Sequence, residues 1–70
     1  MIGITRRQER VLDYIRKHVK AFKMPPTRHE IAVEFGFASD NAVQCHLKAL
    51  EQKGFINITP RISRGIRVLT

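Results

Sequence analysis

Cysteine is nearly missing from this chain: Cys45 is its sole example. One thiol allows no internal disulfide and no C-x-x-C pair for a structural metal, so a reducing compartment, by default the cytoplasm, is expected. Long apolar runs are missing too. None approaches the ~18 residues of a spanning helix, and "MIGITRRQER" meets charge before any secretory core could form, so neither export nor membrane insertion is expected. Acidic residues are scarce, with 6 Asp and Glu against 13 Lys and Arg and a formal charge of +7. On so small a domain this is the electrostatic footprint of a polyanion's partner, with nucleic acid as the first candidate.

Other shortages narrow the chemistry. At 70 residues the chain is one domain at most, of a size that buries only about 60% of its unfolded surface, so no enclosed pocket is expected. No serine, cysteine or lysine is visibly partnered with a base and an oxyanion donor, and an enzyme is the least expected class. His18, His29 and His46 with Cys45 lack metal-ligand spacing: residues 45 and 46 are adjacent and project about 100° apart on a helix. No metal or cofactor is therefore expected. The aromatics are Tyr14 and four phenylalanines, which mostly fall on core seams and offer no stacking surface for single-stranded RNA. Repeats, linkers and low-complexity stretches are absent.

What remains is strongly organised. Thr5 followed by Gln8 is a capping-box pattern, and Val11, Leu12, Ile15, Val19 and Phe22 then recur at helical steps, while Arg10, Asp13, Arg16, Lys17 and Lys20 lie largely off that stripe. Met24-Pro25-Pro26 ends this helix, because a proline disfavours α geometry in the residue before it. The pattern repeats in "TRHE", with Thr27 and Glu30 opening a short helix whose buried side is Ile31, Ala32 and Phe35 and whose stop is Gly36. A third helix has Ser39 or Asp40 as N-cap, Val43, Leu47 and Leu50 as its seam and Gly54 as its end. Period two then takes over in "FINI" and "GIRVLT", joined by a loop of about six residues, "TPRISR", which predicts a hairpin. The expected fold is mainly α with a small β-hairpin: one three-helix winged helix-turn-helix domain over 1–70, with helices about 6–22, 28–35 and 40–53 and a hairpin about 55–69.

In a helix-turn-helix the second helix of the pair enters the DNA major groove, N-terminal residues first. Ala32 and Gly36, four apart, suit the crossing and the turn. Asn41, Gln44, Cys45 and Lys48 point away from the seam of the third helix, a set that packing does not require. Asn and Gln can pair with the N6 and N7 edge of adenine, Ser can donate or accept, and Ala can touch a thymine methyl, which makes Ser39, Asn41, Ala42, Gln44 and Cys45 the candidate base readers. Asn and Ser near a helix start are also common caps, so capping is the alternative role for each. Candidate phosphate ligands are Arg28 at the second helix, Arg61 and Arg64 at the hairpin tip and Lys48, with Arg6, Arg7 and Lys53 weaker. For each, a solvated surface charge is the plain alternative.

The segments "MPPTRHEIA", "FGFASDNAVQCHLKALEQKGFI" and "SRGIRVL" closely resemble the amino-terminal DNA-binding domain of the LexA family, bacterial repressors of the SOS response. The resemblance runs from about Thr5 to Leu69. It implies a winged helix-turn-helix, binding to inverted-repeat operators of DNA-damage genes, and a third helix reading a CTG-type half-site through the residues matching Ser39, Asn41, Ala42 and positions 44 and 45. Many enterobacterial-type members carry glutamates at those last two positions. Glutamate accepts from cytosine N4 and cysteine is a poor acceptor, so base preference there is expected to shift by ~1–3 kcal/mol per position while groove and register persist. The resemblance also implies a carboxy-terminal Ser-Lys self-cleavage domain, responsive to RecA and carrying the main dimer contacts, that this sequence does not include. An excised half and a free-standing relative from a phage or mobile element both fit, and without that tether dimerisation is expected to be weak or DNA-dependent. The contrasting reading is a winged helix that modulates a host repressor by protein contact, to which the basic hairpin and Asn41 are poorly suited.

Overall fold

The computed structural model describes residues 3–62 and 64–69; Met1, Ile2, Ser63 and Thr70 lie outside the described residues, and with them part of the loop expected over 59–64. Three helices, α1 (Arg6–Phe22), α2 (Arg28–Phe35) and α3 (Asp40–Gln52), are followed by strands β1 (Ile56–Ile58) and β2 (Ile66–Val68). The strands pair antiparallel with Ile56 opposite Val68, Asn57 opposite Arg67 and Ile58 opposite Ile66. This is the mainly helical winged helix-turn-helix that the periodicities predict.

Local chemistry starts the first two helices. Thr5 caps α1, its side chain accepting from the Gln8 N–H while the Gln8 side chain accepts from the Thr5 N–H, and Thr27 and Glu30 repeat the arrangement on α2. Gly36 ends α2 at φ 70°, a left-handed conformation that costs a residue without a Cβ almost nothing. The end of α1 departs from expectation: Lys23, at φ 63°, turns the chain before the prolines are reached.

Val11, Leu12 and Ile15 of α1, Ile31 and Ala32 of α2, Val43, Leu47 and Leu50 of α3, and Ile56 and Ile66 of the hairpin form one buried cluster. Every element contributes, so the hairpin is an integral part of the core. Phe22 is a correction. It shares the apolar stripe of α1 but is 61% exposed, because the helix outruns the core there; the His18 ring stands beside it, 4.6 Å between centroids.

Besides the buried Ile56 and Ile66, polar contacts tie the hairpin to the helices. At the turn end of β1, the Ile58 N–H donates to Glu51 Oε2 of α3 at 2.9 Å. At the far end the Arg64 guanidinium reaches α2, as described below. Between them the turn is closed by Thr59 N–H donating to the Gly65 carbonyl at 2.8 Å and Gly65 N–H to the Ile62 carbonyl at 3.1 Å.

Candidate nucleic-acid interface

With Val43, Leu47 and Leu50 fully buried, the 100° step of an α-helix sets the opposite face. Asn41, Cys45 and Lys48 fall about 140–200° from the seam and are all exposed, with Ala42 and Gln44 half-buried on the two flanks. Gln52, one further step along the same stripe, is exposed as well. The stripe thus runs the length of α3 and carries amide, thiol and ammonium groups.

Ser39 is the N-cap of α3, yet its hydroxyl makes no capping hydrogen bond. That contrasts with Thr5 and Thr27, whose hydroxyls both cap. An N-cap hydroxyl left open beside exposed helix N–H groups has its donor and acceptor capacity available to an incoming ligand. The start of α2 lies next to it. Thr27, Arg28 and His29 line a shallow hollow together with Asp40, and His29 Nδ1 stands 3.9 Å from Asp40 Oδ1. Two helix N-termini therefore share one edge of the molecule, where partial positive charge from the aligned peptide dipoles accumulates. Arg28 adds a full charge there, and its Nε is buried without a hydrogen-bond partner among the described residues.

Behind this edge an aromatic stack supports the turn. Phe37 lies nearly parallel to His46 of α3, with centroids 5.2 Å apart, and to Phe35 of α2 at 5.9 Å. Arg7 places its guanidinium 5.5 Å from the Phe37 centroid, a cation–π contact that orders the arginine while keeping its charge.

The other expected phosphate ligands are placed less uniformly. Arg61 is exposed on the hairpin turn at φ 67°. Lys53 follows the last turn of α3 and donates to Gln8 Oε1 at 3.1 Å. Arg64 differs most from expectation. No acid is near it in sequence, but Glu30 faces it across the fold, and the guanidinium grips both carboxylate oxygens at 2.9 Å while also donating to the Pro25 carbonyl at 2.9 Å. The pairing holds the Glu30 carboxyl down to about 2, chiefly through the Arg64 hydrogen bonds and then through the Thr27 N–H, and raises Arg64 in turn. Its charge is already answered from within the protein.

Sequence reasoning gave little weight to two features. Arg67 and Asn57 sit opposite each other on the outward side of the hairpin, both exposed; the period-two pattern that buries Ile56 and Ile66 was signal enough to find them. Arg6 and Arg10 join Arg7 in lining a crevice against Glu34 and Phe35, and their i, i+4 spacing was the available clue.

A three-helix corner, a third helix whose exposed stripe ends in an open cap, and a basic hairpin docked on the same core define a winged helix-turn-helix DNA-binding domain. Comparison with known proteins gives the family. The model described as the LexA DNA binding domain matches residues 1–65, and the chain belongs to that family. The LexA repressor of Histophilus somni (strain 2336) is 54% identical over 68 residues, covering 97% of this chain and 32% of that protein. The LexA repressor of Haemophilus influenzae (strain PittGG) is 54% identical over 69 residues, 99% of this chain and 33% of its own length. That of Cupriavidus taiwanensis is 52% identical over 68 residues, 97% of this chain and 31% of its own. The chain spans about a third of the length of the curated relatives it matches.

Proposed function

We propose that this chain is the duplex-DNA-binding module of a LexA-type transcriptional repressor acting on DNA-damage genes, and that α3 reads operator half-sites in the major groove. The observation that carries this reading is the stripe of Asn41, Cys45 and Lys48 opposite the buried seam, beside an N-cap Ser39 with no capping bond, in a member of this family. Ser39, Asn41, Ala42, Gln44 and Cys45 meet base edges, with Asn41 and Gln44 suited to adenine and Ala42 to a thymine methyl. Arg28, Arg7, Lys48 and Arg61 meet phosphates, and Lys53 does so once it leaves Gln8.

Operators of this type are inverted repeats with CTG-like half-sites, each half taking one copy. As a separate module the chain binds such sites weakly, because a tether between half-site binders is worth up to about 10²–10⁴ in avidity. RecA acts on the system only where the full protein carries a cleavage domain. The location follows the target: the nucleoid, within the cytoplasm.

Selection from a pool of randomised duplex DNA at moderate salt tests the reading. Recovery of a CTG-like half-site, single or inverted, supports it and shows what Gln44 and Cys45 have changed. Recovery of no motif, with only salt-sensitive bulk binding, overturns it in favour of a partner-binding winged helix.

A further inference from the structure

Glu30 is engaged on three sides. Its Oε1 accepts the Thr27 N–H at 2.9 Å and closes the capping box of α2. The same oxygen and Oε2 take the two arms of the Arg64 guanidinium from the hairpin, both at 2.9 Å. From α1, His18 stands with Nε2 3.7 Å from Oε1, its ring held by an Nδ1–H bond to the Met24 carbonyl at 2.8 Å. Arg64 in turn donates to the Pro25 carbonyl at 2.9 Å, in the link between α1 and α2. One carboxylate therefore joins the end of α1, the start of α2 and the tip of the hairpin.

The capping box alone does not need this charge, since glutamine serves in it equally. The first helix uses Gln8 at the equivalent place. A bidentate pair with arginine, in contrast, fixes direction as well as distance. The strands are only three residues each; Ile56 and Ile66 are buried in the core, and Ile58, the last residue of β1, donates to Glu51 of α3. Those contacts stop at Ile58 and Ile66, where the turn that carries Arg61 begins. Beyond them the Arg64 fork ties that turn to α2.

We infer that Glu30 is a positioning residue for DNA binding: through Arg64 it sets the hairpin tip, and with it Arg61, at a fixed place relative to the α2 N-terminus that carries Arg28. Arg64 accordingly acts inside the protein, and its loss is felt on DNA through the displaced tip. This inference rests on the reading of the hairpin as a DNA-contacting wing.

Glu30→Gln tests it, because the amide keeps the Thr27 cap and removes the fork. Two readouts are needed: amide exchange at Thr59 and Gly65 in the free protein, and affinity with its salt dependence on a duplex carrying inverted CTG half-sites. The expected result is faster exchange at both amides, affinity weaker by roughly three- to ten-fold, and a salt slope smaller by about one. Arg64→Gln should match it, the double variant should be no worse than either single, and Arg64→Lys should restore part of the loss. A role confined to helix stability would lower the melting temperature and leave the salt slope alone, which overturns the inference. If Arg64 is instead a phosphate ligand that Glu30 competes for, Glu30→Gln raises affinity, and that also overturns it. Unchanged exchange at Thr59 and Gly65 does the same. Should the unmodified chain fail to prefer the half-site duplex over random DNA, the major-groove reading fails, and the exchange arm still decides whether Glu30 holds the tip.

Discussion

Gly65→Ala separates steric need from backbone need in the hairpin turn. A Cβ built on Gly65 meets the Thr59 carbonyl oxygen at 2.6 Å, the Ile62 carbonyl oxygen at 3.0 Å and the Thr59 Cβ at 3.1 Å. Two of these are backbone atoms that cannot swing aside, and both carbonyl contacts lie within the turn closed by the Thr59-to-Gly65 and Gly65-to-Ile62 hydrogen bonds. Opening the turn therefore forfeits those two bonds, at a net cost of about 1 kcal/mol each, and overpacking adds about 1–3 kcal/mol, so a total of roughly 3–5 kcal/mol is expected. The whole domain is worth only about 3–10 kcal/mol at 0.05–0.15 kcal/mol per residue, and each kcal/mol is about 4–8 °C of melting temperature at this size. Gly36→Ala is the matched control. It sits at φ 70° with nothing within 4 Å of its Cβ, so only left-handed strain of about 1–2 kcal/mol applies. Thermal melting followed by circular dichroism, with amide exchange at Thr59, distinguishes the two: Gly65→Ala exposes the Thr59 amide and Gly36→Ala does not. If Gly65→Ala melts with the parent and Thr59 stays protected, the close approach in the turn is refuted.

Leu47→Ala removes a fully buried side chain at the centre of the core and should cost about 2–5 kcal/mol, partly unfolding the domain in a urea titration; an unchanged midpoint would put Leu47 outside the core. Asn41→Ala, on the exposed face, should leave that midpoint in place while weakening a selected half-site more than random duplex, and equal losses on both would remove it from the base readers. Acid should loosen the clamp: Glu30 titrates near 2 in the folded protein, below its usual value, so its stabilisation is complete above about 4.5 and fades as pH falls from there through 2. Urea midpoints measured across that window should fall less steeply for Glu30→Gln than for the parent, and parallel curves would contradict the assigned titration.

Much of this protein is local and hence legible in one dimension. Thr5 with Gln8 and Thr27 with Glu30 start helices because each pair satisfies its own backbone over three residues. Val43, Leu47 and Leu50 share a face because the helical period puts them there, and the outward face carrying Asn41, Cys45 and Lys48 follows by subtraction. The change to period two after Gly54 announced the hairpin in the same way. The extent of burial was less legible: Phe22 has the right phase, but phase says nothing about where the core stops.

The arrangement of charges belongs to the tertiary structure. Arg64 read along the chain has no partner, and its ligand Glu30 lies 34 positions away, brought to it only when α2 and the hairpin dock on one core. The open hydroxyl of Ser39, for which capping was the alternative role, is likewise a matter of side-chain geometry that residue identity does not specify. Helical period and capping act between residues a few positions apart, so the linear pattern determined the elements and their faces. Ion pairing acts through space between surfaces that folding alone brings together, which is why the division of the basic residues between those paired inside the fold and those facing outward emerged only from the packed domain.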